Sequence, residues 1–478
     1  MKVIKNYLYN VSYQILLMLV PLVTVPYVSR VLGPHNSGIN SYTNSVVTFF
    51  YLFGQLGITL YGNRQIAYYR EDKLKRSKCF WEIEILQLTT SLIAFIAYLT
   101  CSYFVFSEYR VYFLLQSLWI VATGLDISWF FMGMEDFKRT VTKNALVKII
   151  SIIFIFLLVK NKNDLGKYIL LLGMAQLAGS LTLWPYLRNI VNIVEIQSLH
   201  PLKHLLPTIQ LFIPTITTQI YLVVNRIMLG GMSTQSQVGQ FDYADKIVKL
   251  ILSVVTATGT VMLSHVSNQF AKGKIESVKI SLYNSFDFVT SIAVPMMLGL
   301  GAIATKFAPW FLGKDYSDTG LIIIFESPAI IFIAWSSVIG NQYLTPINRV
   351  NDFTISVTVG AIVNVISNLI LIYFFDALGA AVATVLSEFA TTSIQIHYIR
   401  VSINRKKLLF STIPYWISGL IMLLVVKLMN NTLKIGFFTL FAEVSLGGII
   451  YIVLLILLKA PVIRQATLLY KKYIGINR

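Results

Sequence analysis

The sequence predicts an all-α polytopic membrane protein with about fourteen transmembrane helices. Of its 478 residues, 56% are hydrophobic and only 13% are charged, whereas charged residues make up about 25% of a soluble domain. Apolar runs of about 20 residues, the length that crosses about 30 Å of hydrocarbon, recur along the whole chain. An internal repeat also relates the first of these runs to the seventh, which indicates a duplicated helical body.

The predicted helices follow one another with short connections, so no loop is long enough to hold a separate soluble domain. Because no short apolar segment precedes a small-residue cleavage site, we expect the first helix to be retained. The approximate bounds of the predicted helices are 10–29, 39–62, 81–105, 111–133, 144–160, 167–187, 208–230, 239–264, 282–304, 319–344, 353–375, 378–399, 412–429 and 436–458.

The distribution of Lys and Arg predicts the orientation of these helices. With the N-terminus inside, the inner segments hold about three times as many Lys and Arg as the outer ones, as cytoplasmic loops do. We therefore expect a multi-pass membrane protein with both termini in the cytoplasm. The net charge of +18 is then mostly a topology signal and a contact with anionic lipid head groups. Nucleic acid is not an expected partner, because no basic patch with interleaved aromatic residues lies outside the membrane-flanking loops.

The internal repeat predicts two six-helix lobes. SRVLGPHNSGINSY (29–42) and NRIMLGGMSTQSQVGQFDY (225–243) share an Arg, a Leu-Gly, a short polar turn and Gly-x-x-x-Tyr. An even number of crossings separates the copies, so the repeat is parallel, with a pseudo-two-fold axis along the membrane normal and a substrate site expected at the repeat interface. We expect an N-terminal lobe over 1–187, an amphipathic cytoplasmic linker over 188–207, a C-terminal lobe over 208–399, and helices 13 and 14 with a basic tail over 400–478.

Charged residues in or beside the predicted spans are the candidate substrate-binding residues, since an ionisable group at the centre of a membrane helix costs at least about 2.5 kcal/mol. Arg30 and Arg226 occupy the same position in the two repeats. Either both face a central crevice and attract an anionic group, or each extends to the outer head groups or caps its helix. The other candidates are Arg64, Asp126, Lys148, Lys246, Lys249 and Glu388.

Several of these charges also have a purely structural interpretation. Lys246 and Lys249 each follow an aspartate by four residues, which predicts two ion pairs within one helix; the alternative is that one lysine contacts a phosphate. Asp126 and Lys148 either pair with each other or contact substrate or a proton. Glu388 is a lone carboxylate deep in the twelfth span, for which structural and functional roles are equally open.

No cofactor, metal or catalytic centre is expected, so the sequence does not predict an enzyme. His200 and His204 share an i,i+4 spacing but have no third ligand nearby in sequence. The chain holds no Gly-x-x-x-x-Gly-Lys-Ser/Thr loop, so ATP is not expected to drive it directly. Cys79 and Cys101 would lie roughly 33 Å apart on one continuous helix, too far for a disulfide.

A set of motifs follows in order along nearly the whole chain: RVLGPHNSG, GITLYGNRQIAYYRED (57–72), LDISWFFMGMEDFK, NRIMLG with VGQFDYADKIVK, YLTPINR (343–349) and AIVNVISNLILIYFFDALGAAVATVLSE (361–388). Together these motifs resemble those of the Wzx-type polysaccharide flippases of the multidrug/oligosaccharidyl-lipid/polysaccharide exporter superfamily. The resemblance departs from the family pattern at Asn225, where members often have Asp, and at Ser264, where they often have Pro.

This resemblance implies a flippase that moves an undecaprenyl-diphosphate-linked sugar repeat unit to the outer leaflet by alternating access, for capsule or O-antigen. It implies membrane lipids, a polysaccharide polymerase and glycosyltransferases as partners, and it places Arg30, Arg64, Asp126, Lys148, Arg226, Lys246 and Glu388 at motif positions. The first alternative is a drug/cation antiporter of the same superfamily. The second is a membrane-embedded polymerase, whose chemistry would need a larger external loop than this chain offers.

Overall fold

The computed structural model describes residues 2–105, 108–256 and 259–473, and within these ranges the chain is mostly helical and has no β-strand. The α-helices in chain order are α1 (Lys2–Gln55), α2 (Ile58–Tyr68), α3 (Lys73–Phe104), α4 (Arg110–Gln116), α5 (Leu118–Gly124), α6 (Ser128–Gly133), α7 (Phe137–Leu158), α8 (Leu165–Leu181), α9 (Leu205–Met232), α10 (Gln235–Thr256), α11 (Gly259–Ala271), α12 (Ile275–Leu312), α13 (Thr319–Glu326), α14 (Ala329–Ser336), α15 (Val350–Tyr398), α16 (Arg405–Phe410), α17 (Ile413–Thr432), α18 (Phe437–Leu457) and α19 (Pro461–Tyr473).

Two of these helices are too long to be single crossings. α1 has 54 residues and α15 has 49, so each would measure more than about 70 Å if it were straight. Each contains one residue with non-helical backbone angles, which are Gly33 (φ 73°) in α1 and Asp376 (φ 49°) in α15. These breaks fall at the predicted gaps between the first and second spans and between the eleventh and twelfth, so each helix is two spans joined at a sharp bend.

Within the described ranges, eight helices are long and apolar enough to cross a membrane, and a ninth is added if the bent pair Lys314–Glu326 and Ala329–Leu344 forms one span. The predicted all-α polytopic membrane class is confirmed. The predicted number of fourteen spans stays a prediction, partly because Val20–Tyr68 and Val350–Val401 are each counted once. The fourth predicted span is interrupted, since α4, α5 and α6 are separated at Ser117 and at residues 125–127.

The chain divides into two compact units, Met1–Gly239 and Gln240–Arg478. This packing boundary differs from the predicted lobe boundary at 188–207. The physical reason lies within the first unit, where α9 packs against both α1 and α2.

The first unit contains a close backbone contact built on two glycines. A Cβ atom on Gly38 would lie 1.7 Å from the carbonyl oxygen of Gln235, and one on Gly239 would lie 2.0 Å from the carbonyl oxygen of Pro34. Pro34 and Gln235 each precede the glycine of their own segment by four residues. The two contacts are therefore reciprocal, as a local two-fold axis requires, and they relate the two copies of the sequence repeat.

The predicted amphipathic linker is not a continuous helix. It forms short 3₁₀ turns joined by extended backbone, and side chains of α3 hold it in place. Arg76 donates to the carbonyl of Ile190 (2.8 Å), Trp81 donates to the carbonyl of Asn192 (3.0 Å), and the N–H of Asn192 donates to Ser77 (2.9 Å). The turns are Trp184–Asn189, Ile196–Ser198 and Pro201–His204.

In the second unit, the two C-terminal spans α17 and α18 pack against the long helix α12. Tyr451 of α18 donates a hydrogen bond to the carbonyl of Ser291 (2.9 Å). Lys306 of α12 donates to carbonyl groups at the end of α17, including Leu433 (3.1 Å). A lysine at a helix C-terminus binds carbonyl oxygens that have no partner within the helix, so the end of α17 is fixed to α12.

Candidate functional site

The two repeat arginines lie on α1 and α9, two helices of the first unit that pack against each other. Arg30 is exposed on α1, three residues before the break at Gly33, and Arg226 is half-buried on α9. Arg226 precedes Gly230 by one helical turn, and a Cβ atom on Gly230 would lie 2.2 Å from the ring of Tyr42. The close helix contact therefore fixes the backbone from which the half-buried guanidinium of Arg226 extends.

The two predicted ion pairs in α10 are confirmed. Lys246 lies 2.5 Å from Asp242 and Lys249 lies 2.7 Å from Asp245. Both carboxylates are buried, whereas the lysine side chains are 46% and 37% exposed. Each ammonium group thus compensates a buried carboxylate of its own helix, and either lysine would have to leave that partner before it could bind a phosphate.

The predicted pair between Asp126 and Lys148 is not formed. Asp126 instead accepts a hydrogen bond from the backbone N–H of Ser128 (3.0 Å), at the break between α5 and α6. Lys148 is exposed on α7. Asp126 stabilises the local turn by accepting this hydrogen bond, because the break leaves N–H groups at the start of α6 without helical partners.

Two acidic residues that the sequence analysis did not single out lie in the middle of α3, in the run FWEIEILQL (80–88). Glu84 is fully buried, and neither carboxylate oxygen has a hydrogen-bond partner among the described residues. One turn further, Gln87 donates to the carbonyl groups of Thr123 (2.6 Å) and Asp126 (3.0 Å) at the break in the fourth span. Acidic residues inside an apolar run are the sequence signal that could have identified this region.

Glu82 is the centre of a second polar group, here called the Glu82 cluster, which comprises Glu82, Lys203, His204, Tyr61 and the backbone of His200. The buried carboxylate of Glu82 accepts from Lys203 (2.5 Å), from Nε2 of His204 (3.1 Å) and from the N–H of His200 (3.0 Å). Tyr61 and Nδ1 of His204 are 2.7 Å apart. A neutral imidazole that donates from Nε2 and accepts at Nδ1 satisfies every contact.

The environment of His204 favours this neutral form. Burial lowers the pKa of His204 below its ordinary value, and the neighbouring Lys203 lowers it further, while Glu82 acts in the opposite direction. The histidine pair that the sequence offered as a weak metal candidate therefore has a structural role. The described residues hold no group of three His, Cys, Asp or Glu side chains that could bind a metal ion.

The remaining two candidates lie in different units. Arg64 is exposed on α2, with its guanidinium carbon 5.8 Å from the centre of the Tyr61 ring. Glu388 is half-buried on α15, beside Ser387, which donates to the carbonyl of Gly360 (2.8 Å). The first unit thus carries the candidates Arg30, Arg64, Asp126, Lys148 and Arg226, and the second carries Lys246, Lys249 and Glu388.

Comparison with known sequences gives a family match over the N-terminal half of the chain and slightly beyond it. The model of a family described as polysaccharide biosynthesis protein matches residues 3–263. The Escherichia coli K12 protein named "Putative O-antigen transporter" is 24% identical over 406 residues, which cover 83% of this chain and 96% of that protein. Similarity therefore extends over nearly the whole of that relative.

Two solved structures have a similar fold. "Lipid II flippase MurJ, inward closed conformation" has a TM-score of 0.73 and 16% identity, and the match covers 98% of this chain and 100% of that one. An inward-facing multidrug resistance MATE family transporter of the MOP superfamily has a TM-score of 0.63 and 15% identity, over 82% and 95% of the two chains. These likenesses establish the fold, and the family model matches more than half of the sequence. The chain belongs to the polysaccharide biosynthesis protein family.

Proposed function

We propose that this protein is a flippase for a lipid-diphosphate-linked oligosaccharide repeat unit, which it moves from the cytoplasmic to the outer leaflet by alternating access. The observation that carries the proposal is the similarity to the protein named "Putative O-antigen transporter" over 96% of that protein's length, in a chain with several helices long and apolar enough to cross a membrane. The product would enter the biosynthesis of O-antigen or a related capsular polymer.

The charges of the first unit suit the proposed substrate. A sugar-diphosphate head group cannot cross hydrocarbon without a polar path, whereas its lipid tail can stay in the bilayer. Arginine binds phosphate oxygens with two parallel N–H groups, which makes it the preferred residue for such a group. Among the candidates of this unit, Arg30, Arg64, Arg226 and Lys148 outnumber the acidic Asp126, which favours an anionic ligand.

The alternative of a drug/cation antiporter fits the charges of α10 less well. A cationic drug requires carboxylates that are available inside the protein. In α10 the carboxylates of Asp242 and Asp245 are already neutralised by Lys246 and Lys249. The shared fold with a multidrug transporter therefore does not by itself favour a cationic substrate.

The proposed function implies a membrane, an orientation and partner proteins. The protein would span the bacterial inner membrane with both termini in the cytoplasm, since the basic segments are predicted to lie there. An undecaprenyl-diphosphate-linked glycan would be its substrate. A polysaccharide polymerase and the glycosyltransferases that build the repeat unit would be its partners, and it would catalyse no covalent chemistry itself.

Arg226→Ala tests the proposal. We expect the variant to insert normally but to produce roughly 10- to 100-fold less surface polysaccharide, because charge-assisted hydrogen bonds contribute about 1.5–3 kcal/mol each. The measurement compares polymer in a deletion strain that expresses each variant at wild-type membrane levels. Arg226→Lys should restore part of the export, since it keeps the charge but not the bidentate geometry.

Arg110→Ala is the matched control, because Arg110 is an exposed arginine whose guanidinium lies over the ring of Tyr103 (4.5 Å) outside the candidate set. It should leave export unchanged. Wild-type polymer levels in the Arg226→Ala strain would show that Arg226 does not contribute to substrate binding.

A further inference from the structure

A groove of about 430 Å³ lies in the second unit, where the end of α15, the short helix α16 and the start of α17 meet. Its lining combines two cationic and four apolar side chains, and among these lining residues there is no hydroxyl, amide or carboxylate group. The lining residues are Ile396, Arg405, Lys406, Leu409, Phe410 and Ile413.

The two cations of this groove have no counter-charge among the residues that the structure describes. Other basic residues nearby are engaged locally, since Arg349 lies 2.5 Å from Asp352 and the ammonium of Lys407 lies 5.0 Å from the centre of an aromatic ring. Arg405 and Lys406 are both exposed. Within the described part of the chain, neither forms an ion pair or a side-chain hydrogen bond, so two positive charges are available to an external anion.

The apolar part of the groove continues along the membrane-spanning helix α17. A stripe of exposed apolar residues begins at the groove and follows the helix at intervals of three or four residues, so its members share one face. From first to last the stripe covers about 22 Å at 1.5 Å per residue. Its members are Ile413, Ile417, Leu420, Leu424 and Leu428.

We infer that this groove binds one anionic glycerophospholipid of the cytoplasmic leaflet. Arg405 and Lys406 bind its phosphate, and an acyl chain occupies the groove and continues along the α17 stripe. The segment 400–407 is predicted to face the cytoplasm, where the membrane surface is negatively charged and attracts basic residues. The lining favours a phospholipid over a glycan-bearing lipid, because apart from the two cations it offers no hydroxyl, amide or carboxylate group to hydrogen-bond a sugar.

Native mass spectrometry of the full-length protein tests this site with phosphatidylglycerol and phosphatidylcholine of identical acyl chains. The wild-type protein should retain phosphatidylglycerol in preference to phosphatidylcholine. The double variant Arg405→Gln/Lys406→Gln should bind it roughly thirty-fold more weakly, given the typical effect of two basic residues near an anionic surface. The matched control is Lys272→Gln/Lys274→Gln, which removes the same charge from another exposed turn of this unit and should bind phosphatidylglycerol like wild type.

Two competition experiments distinguish binding of a phospholipid from binding of other anions. Glycerol phosphate, which carries the phosphate without acyl chains, should fail to displace bound phosphatidylglycerol. A purified polyprenyl-diphosphate-linked oligosaccharide should also leave it in place. The inference is overturned if the two lipids bind equally, if the control loses binding as much as the Arg405/Lys406 variant, or if either competitor displaces the phospholipid.

Discussion

Gly38→Ala is expected to prevent accumulation of the folded protein. The added Cβ atom would lie 1.7 Å from the carbonyl oxygen of Gln235, so the backbones of α1 and α10 would have to separate. Overpacking that a side-chain rotation cannot relieve costs about 3 kcal/mol or more, a large fraction of the stability of a typical domain. Membrane levels and thermal unfolding in detergent measure the effect.

The control for this substitution is Gly231→Ala. Gly231 lies inside α9, yet no heavy atom would lie within 4 Å of an added Cβ. Alanine is the better helix former by about 1 kcal/mol, so this variant should be as stable as wild type or slightly more stable. Equal stability of Gly38→Ala and Gly231→Ala would show that the reciprocal contact of Gly38 and Gly239 is not close.

Glu82→Ala is expected to cause the second large loss of stability. It would leave the ammonium of Lys203, the N–H of His200 and Nε2 of His204 without the buried acceptor that they share. Lys203 is 50% exposed and can turn to solvent, so the cost comes mainly from the hydrogen bonds to His200 and His204 and is about 1–3 kcal/mol. Thermal unfolding checks this value, and faster proteolysis within 190–204 would show that the segment had left α3.

Lys75→Ala provides the comparison for a surface ion pair. Lys75 lies 3.4 Å from Asp72 and is 70% exposed, so its removal should change the free energy of unfolding by less than about 1 kcal/mol. If Glu82→Ala costs no more than Lys75→Ala, the Glu82 cluster does not hold the connecting segment.

The pH dependence of unfolding gives a second readout of the Glu82 cluster. Burial lowers the pKa of His204 in the folded state, so the unfolded chain binds a proton at higher pH than the folded one does. The contribution of His204 is present above its unfolded pKa of about 6.5 and is lost as pH falls through the lower folded value. Wild type should therefore lose stability below about pH 6.5 more steeply than His204→Gln, and parallel profiles would exclude the neutral imidazole.

Much of the fold could be predicted because bilayer physics leaves strong signals in sequence. The lengths of the apolar runs predicted the gaps in which the breaks at Gly33 and Asp376 fall, since a membrane helix cannot much exceed the thickness of the hydrocarbon core. The i,i+4 spacing of Asp242 with Lys246 identified an ion pair, because helical geometry alone brings such residues together.

Features that depend on contacts between distant segments could not be predicted in the same way. Glu82 acquires its role from His200, Lys203 and His204, more than a hundred residues later in the chain. The linker follows α3 in short turns because Arg76, Ser77 and Trp81 bind its backbone, whereas its own sequence indicated only that it is amphipathic. The contact of Asp126 with the backbone of Ser128 was outside both predicted alternatives, a pair with Lys148 or a contact with substrate or a proton, because the break in the fourth span has no strong sequence signal.

The central claim is that this protein moves a diphosphate-linked glycolipid between leaflets, and a flipping assay tests it most directly. Purified protein is placed in vesicles together with the polyprenyl-diphosphate-linked repeat unit, and a membrane-impermeant enzyme cleaves glycan on the outer surface only. The account predicts that cleavage proceeds to nearly all of the substrate with wild type and far more slowly with Arg226→Ala. Cleavage that stops at the outer-leaflet fraction, as in vesicles without protein, would contradict it.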